Sequence, residues 1–415
     1  MARFPQEVVE QFISYLNEDA NRLKTLASCS LVSQIWCSIT HPFLYSRLSL
    51  DIGTLEHGFA TPLIDSISES SQIQASIRHF LITGSSFSTK LSLLTLSSLG
   101  HLPSLRSLHL RSDTSMGHSP KANPGLAASL QPMLSSRSLT SLELSHFGGF
   151  PAQSLYNCVA LQRLAIWQVT FEFPPSESGS NIDKPAVVSP LKERPVLRSF
   201  ILSSHSREGT VNLNWLRSPH SPFDLSQLET FIGVDRGNTA KSYEVHCKLI
   251  SYASHSLKTV LIDPPTSCST TGVQNPLGVL EPQKLQKITS LTLCIDQIPR
   301  DYNSLPWLIA ILSGLPNPET LHDLTLACDI DADPATGFSY FARGWSEVDA
   351  LLGRFPNLQS VHVKCYDERV NEVANELIAW FYKLFPIWVS KGVLSVECFP
   401  DGTYTRSMHQ QLMGW

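Results

Sequence analysis

A six-residue pattern, apolar-x-x-apolar-x-apolar, returns along most of this chain. It stands as Leu105-Arg-Ser-Leu108-His-Leu110, Leu139-Thr-Ser-Leu142-Glu-Leu144, Leu161-Gln-Arg-Leu164-Ala-Ile166 and Leu197-Arg-Ser-Phe200-Ile-Leu202. Further copies begin at Leu257, Ile288, Leu321 and Leu358, and degenerate ones run over Ile77–Ile82 and Leu228–Ile232. Their starts lie about 22 to 37 residues apart, a period that marks stacked supersecondary units. The last three positions alternate, so two apolar side chains share one side of a short strand and the residue between faces the other. The first apolar residue sits a turn earlier and points into the same core. Between these strands, Leu126–Leu134, Tyr243–Tyr252, Leu305–Leu312 and Val348–Phe355 are patterned as amphipathic helices. One such unit cannot bury its apolar face, whereas a stack can. The expected class is α/β with a parallel sheet and right-handed crossovers.

The first 46 residues follow a different period. Val8, Val9, Phe12, Ile13 and Leu16 recur at three- and four-residue steps behind Pro5, which suits a first helical turn, and Glu7, which suits its positive end. Leu23, Leu26 and Ala27 make a short second helix. Leu31, Val32, Ile35, Trp36 and Ile39 make a third, which His41-Pro42 is expected to stop. This unit carries more apolar residues than it can hide alone, so some of them face the rest of the chain or another protein.

The order Phe4-Pro5, Glu7-Val8-Val9, Phe12-Ile13, Leu16, Leu31-Val32-Ser33, Trp36 and Pro42-Phe43-Leu44-Tyr45 resembles an F-box of the fungal type. The Leu that usually precedes the proline is Phe4 here, which keeps an apolar contact but changes its shape. The resemblance implies a three-helix module over residues 1–46 that joins a Skp-type linker, and through it a cullin, in an SCF-type ubiquitin ligase. It implies that Phe4, Pro5, Val8, Val9, Phe12, Ile13, Leu31, Val32 and Trp36 include the linker contacts and the helical core behind them. Residues 47–415 are similar to the leucine-rich-repeat receptors of F-box proteins, an irregular solenoid in that reading. Where that family often has Asn or Cys, this chain has Asp113, Phe147, Val169, His205, Pro265, Asp296, Asp329 and Tyr366, so no Asn ladder forms. Val370, Val373, Leu377, Trp380, Phe381, Leu384 and Phe385 mark a longer helix near 368–385, ended by Pro386, that caps the far end, with a last strand after Gly392.

On the strand face away from the core, the pattern places His109, Arg111, Glu143, Arg163, Trp167, Ile201, Ile232 and Leu261. An apolar centre with a polar rim suits a protein substrate; the opposing expectation is that loops fold over these residues. Basic residues are too sparse along the sequence to suggest a phosphate-reading cluster. The alternative to a ligase receptor is a repeat scaffold whose N-terminal helices only cap the stack.

Composition narrows the remaining classes. Apolar residues at 42%, charged residues at 16% and a formal charge of -5 over 415 residues fit a folded chain and argue against a nucleic-acid partner. Nine scattered cysteines with no C-x-x-C pair suit buried thiols in a reducing compartment. No signal pattern opens the chain. Leu305–Leu315, the longest near-apolar stretch, is too short to span a bilayer. These features predict a cytoplasmic or nuclear protein without a membrane partner. Asp329, Asp331 and Asp333 imitate a calcium loop, but Pro334 and Tyr340 stand where Gly and Glu are needed. No metal-ligand spacing, phosphate loop or nucleophile elbow is present. The chain is therefore expected to need no cofactor and to catalyse no reaction, although a Ser–His pair brought together by folding would reopen that question. Asp113–Gly125, Phe173–Pro195 and Pro264–Pro282 read as surface loops.

Overall fold

A computed structural model of the chain describes residues 6–16, 22–52, 61–84, 87, 90–100, 102–112, 124–172, 194–204, 215–216, 221–235, 240–264, 280–296, 304–329, 344–367 and 370–400. Phe4, Pro5, the aspartates 331 and 333, and most of the three Pro-rich loop stretches lie outside these residues. The chain forms two compact units, Met1–Leu197 with Ser218–Asp224, and Arg198–Arg217 with Leu225–Trp415.

The first unit opens with three helices, α1 (Gln6–Leu16), α2 (Arg22–Ser30) and α3 (Gln34–Leu44). Contrary to expectation, Pro42 lies inside α3 rather than ending it. A proline in the last turn removes a single N–H, and the turn still closes through the Tyr45 N–H on the His41 carbonyl at 3.0 Å. Five parallel strands follow: β1 (Arg47–Asp51), β2 (His79–Gly84), β3 (Ser107–Ser112), β4 (Ser141–Ser145) and, after the two-residue β5 (Phe150–Pro151), β6 (Arg163–Trp167). Helices α4 (Thr61–Glu69), α5 (Ser71–Ser76), α6 (Lys90–Ser98) and α7 (Pro124–Leu134), and a 3-10 turn at Ala152–Asn157, fill the intervals. Strand β5 pairs with β7 (Phe171–Glu172) in a separate small sheet.

The second unit carries seven more parallel strands: β8 (Ser199–Ser204), β9 (Thr230–Asp235), β10 (Thr259–Ile262), β11 (Ser290–Asp296), β12 (Asp323–Asp329), β13 (Ser360–Asp367) and β14 (Leu394–Pro400). Its helices are α8 (Ala240–Ala253), α9 (Leu305–Gly314), α10 (Trp345–Leu352), α11 (Val370–Leu384) and α12 (Pro386–Lys391). Pro386 both ends α11 and opens α12, where its fixed φ is an asset. Gly392 then stops α12 in the left-handed region, at φ 69°.

The sequence motif fixes the register. Leu48, Phe80, Leu108, Leu142 and Leu164 align across the first unit, and Leu50, Ile82, Leu110, Leu144 and Ile166 align two residues on. Phe200, Phe231, Val260, Leu291, Leu324, Val361 and Leu394 make the matching row in the second unit. A slip of one residue would turn every one of these side chains to the other face. The second motif position stitches the steps together. The Arg78 carbonyl accepts the N–H groups of both Arg106 and Ser107, at 2.8 and 2.9 Å. The carbonyls of Ser46, Arg106 and Thr140 do the same in the first unit, and those of Arg198, Glu229, Lys258, Thr289 and His322 in the second. Where an Asn was expected to be missing, Phe147, Val169 and Tyr366 are buried, so apolar packing takes that place.

Candidate functional site

Helix α1 has two apolar stripes about 100° apart around its axis, one buried and one exposed. Val9 and Ile13, four residues apart, enter a small core with Leu26 and Ile39, against which Cys29, Trp36, Phe43 and Leu44 pack. Val8 and Phe12, also four apart, are about half exposed at 49% and 48%, and Tyr15 extends their stripe outward. The turn between α2 and α3 adds Leu31 and Val32, exposed at 87% and 65%. That turn is fixed by the Leu31 and Val32 N–H groups on the Ser28 and Cys29 carbonyls, and by the Ser33 hydroxyl, which accepts from the Trp36 N–H at the start of α3. Leu23 and Ile35 are exposed beside them in sequence. Among the described residues, seven large apolar side chains therefore face outward from this module of three short helices. Of the residues assigned to linker binding, Val8, Phe12, Leu31 and Val32 are exposed, Val9 and Ile13 are core, Trp36 is between, and Phe4 and Pro5 lie outside the described residues.

The strand face assigned to a substrate differs from expectation. His109, Glu143, Trp167, Ile201, Ile232 and Leu261 are all buried; Arg163 is half-buried and only Arg111 is exposed. The side chains themselves give the reason. Ile201, Ile232 and Leu261 align in one row across β8, β9 and β10, and an apolar row left in water costs about 25 cal/mol per Å². In β3 and β4 three polar groups contact one another. His109 Nε2 lies 3.0 Å from Glu143 Oε1 and 3.1 Å from Ser145 Oγ, and the Ser145 hydroxyl donates to Glu143 Oε1 at 3.3 Å. This is a Ser–His–acid set, but the serine and the carboxylate share one imidazole nitrogen. A nucleophilic triad needs them on opposite nitrogens, so the acid can orient the base. Further along the same face, Thr292, Thr325, His362 and Lys364 are only half-buried, so β11, β12 and β13 keep an accessible strip.

The fold also gathers a cluster that sequence reading missed. Arg47 in β1 aligns with His79 in β2, and Arg78 and Arg106 occupy the second motif position of neighbouring strands. Arg22 of α2 reaches the same corner, donating from Nη2 to the Phe43 carbonyl at 2.7 Å and to Ser46 Oγ at 2.9 Å. Burial pushes the His79 imidazole below its ordinary range, and Arg47, Arg106, Arg78 and Arg22 push it the same way. Burial, and then Arg47, lowers Arg22 in turn.

No protein-family model matches the chain, and no curated protein matches it. Among the described residues no disulfide joins the eight cysteines, no group of three ligating side chains is arranged to hold a metal ion, and no helix is long and apolar enough to cross a membrane.

Proposed function

We propose that this chain is the substrate-recognition subunit of an SCF-type cullin–RING ubiquitin ligase. In this reading α1–α3 are an F-box that docks on a Skp-type linker, and the strand–helix body is an irregular leucine-rich-repeat solenoid that holds a protein substrate. The chain performs no chemistry; it raises the effective concentration of substrate near the ligase. The observation that carries the reading is the outward set Val8, Phe12, Tyr15, Leu23, Leu31, Val32 and Ile35 on a module that already has its own core. Exposed apolar clusters of this kind mark protein interfaces. The alternative, a repeat scaffold with a helical cap, draws on the packing of α3 against α5. A cap, however, has no use for an apolar outer surface.

Co-purification with a Skp-type linker tests the proposal. Leu31→Asp with Val32→Asp alters two exposed turn residues and leaves the core alone, so it abolishes linker capture while the chain stays folded. Capture undiminished in that variant refutes the assignment, and so does wild-type chain that captures no linker.

A further inference from the structure

Cysteine enters the sheet of the second unit in a column. Cys328, Cys365 and Cys398 each stand two residues after the last apolar position of a strand, behind Leu326, Val363 and Val396. The register sets them side by side. Cys328 in β12 aligns with Cys365 in β13, and Cys365 aligns with Cys398 in β14. Earlier strands carry Ile295 in β11, Asp235 in β9 and Ser204 in β8 at the same position, so the thiols belong to the last three strands of the series. Residues in register on parallel strands share a face of the sheet. The Cys398 thiol lies 3.9 Å from the Ala374 carbonyl of α11, so the row runs beneath that helix. Cys328 and Cys365 are buried, Cys398 is half-buried, and no disulfide joins them.

Spacing decides what such a row can do. Neighbouring strands run about 4.8 Å apart, within the range of about 4.4 to 6.8 Å that a disulfide spans between Cα atoms. The outer two cysteines are then about 9.6 Å apart, too far for all three to share one metal ion with sulfur bonds of about 2.3 Å. Pairing falls to neighbours, and the two neighbouring pairs are unequal. A disulfide brings the Cβ atoms to about 3.8 Å, so one strand has to move in by about 1 Å. Strands β12 and β13 are each bonded on both sides, which holds Cys328 and Cys365 in place. Among the described residues β14 pairs with β13 alone, so it has room to shift. Cys398, on this last strand, is also the member of the row that solvent reaches most readily.

We infer that Cys398 and Cys365 form a redox-modification site, which a peroxide oxidises to a disulfide tying β14 to β13. The Cys398 thiolate attacks one oxygen of hydrogen peroxide. The O–O bond breaks, the sulfur keeps an OH group, and the other oxygen takes up a proton and leaves as water. The Cys365 thiolate then attacks that sulfenic sulfur. The S–S bond forms as the S–O bond breaks, and the hydroxide leaves as a second water after gaining a proton. Two thiols and one hydrogen peroxide thus give one disulfide and two waters, with two electrons passing from the sulfurs to the peroxide. Cys365 is the resolving thiol in this sequence. The site draws on nothing in α1–α3, so it stands or falls apart from the ligase reading.

The test exposes the folded full chain to hydrogen peroxide, blocks remaining thiols with N-ethylmaleimide and digests without reductant for mass spectrometry. A peptide cross-linked through Cys365 and Cys398 is expected at about tenfold or more the level of any Cys328–Cys365 peptide, and dithiothreitol removes it. In Cys365→Ala the sulfenic acid on Cys398 has no resolving thiol, so dimedone labels it about tenfold or more above wild type. Cys294→Ala removes a thiol next to Ile295 in β11, on the other face of the sheet, and leaves the cross-link unchanged. A Cys328–Cys365 cross-link in place of the expected one overturns the inference. So does Cys398 driven to sulfinic acid with no cross-link, or Cys398 left reduced until the protein unfolds. The wild-type cross-link map decides the matter even if Cys365→Ala does not fold.

Discussion

The ring of Phe12 meets the ring of Trp36 edge-on, with centroids 5.9 Å apart and planes at 75°. This contact joins the outward stripe of α1 to the core of the helical module. Trp36→Ala should therefore loosen the module by about 1–3 kcal/mol, less than a fully buried tryptophan because Trp36 is partly exposed. Phe12→Ala should cost no more than about 1 kcal/mol. Amide exchange over α1 and α3 in the full chain measures both. A larger loss for Phe12 than for Trp36 would mean that the two stripes are assigned the wrong way round.

Glu143 is 1% exposed and shares His109 with Ser145. Removing its carboxylate takes a buried charged partner from both His109 and Ser145, so Glu143→Ala should destabilise the first unit by on the order of 3 kcal/mol. Glu143→Gln keeps an acceptor for the Ser145 hydroxyl and should recover part of that. Urea unfolding separates the two variants, and identical midpoints for Ala and wild type would show that the cluster contributes nothing.

His79 supplies a pH signature. Its folded value is depressed from the ordinary 6.5 by burial and the surrounding arginines. The unfolded chain then binds the proton more readily than the folded one. Stability attributable to His79 is complete above pH 6.5 and falls as the pH drops through that value toward the depressed folded one. His79→Gln should match wild type at pH 8 and outlast it at pH 5 in thermal unfolding. Parallel curves for the two proteins across that range would remove His79 from the account.

Burial raises the thiols of Cys158 and Cys247 to about 12. Both should resist alkylation by iodoacetamide in the native protein at pH 8, while the half-exposed Cys29 and Cys37 are modified first. Mass spectrometry of the digested protein reads this order. The sign at high pH follows from the same shifts: the folded state keeps protons that the unfolded state loses from pH 9 upward, so stability contributed by these thiols declines between pH 9 and about 12.

The sheet was readable in advance because its side-chain period is two and its motif repeats without a register shift. Leu108, Leu142 and Leu164 occupy the same motif position and lie side by side. Pro42 misled because proline is costly in a helix interior but tolerable in a last turn. The face bearing Trp167, Ile201 and Ile232 looked exposed because alternation tells which side a residue takes, not whether that side is covered. The arginine cluster was hidden by distance along the chain. A signal did exist, since Arg78 and Arg106 each follow the first apolar residue of a motif, after Ile77 and Leu105. Reading the repeats in columns rather than along the line would have set them together.

The doubled hydrogen bond at most strand mouths has a consequence for how this sequence can change. Two successive N–H groups are required at the nine steps where one carbonyl is seen to accept both, and none of the chain's 27 prolines stands at any of those donor positions. The segments between steps carry no such demand, and their lengths already differ from one repeat to the next. Descendants of this chain can therefore lengthen, shorten or rewrite the connecting segments while each new strand is still threaded at the same spot.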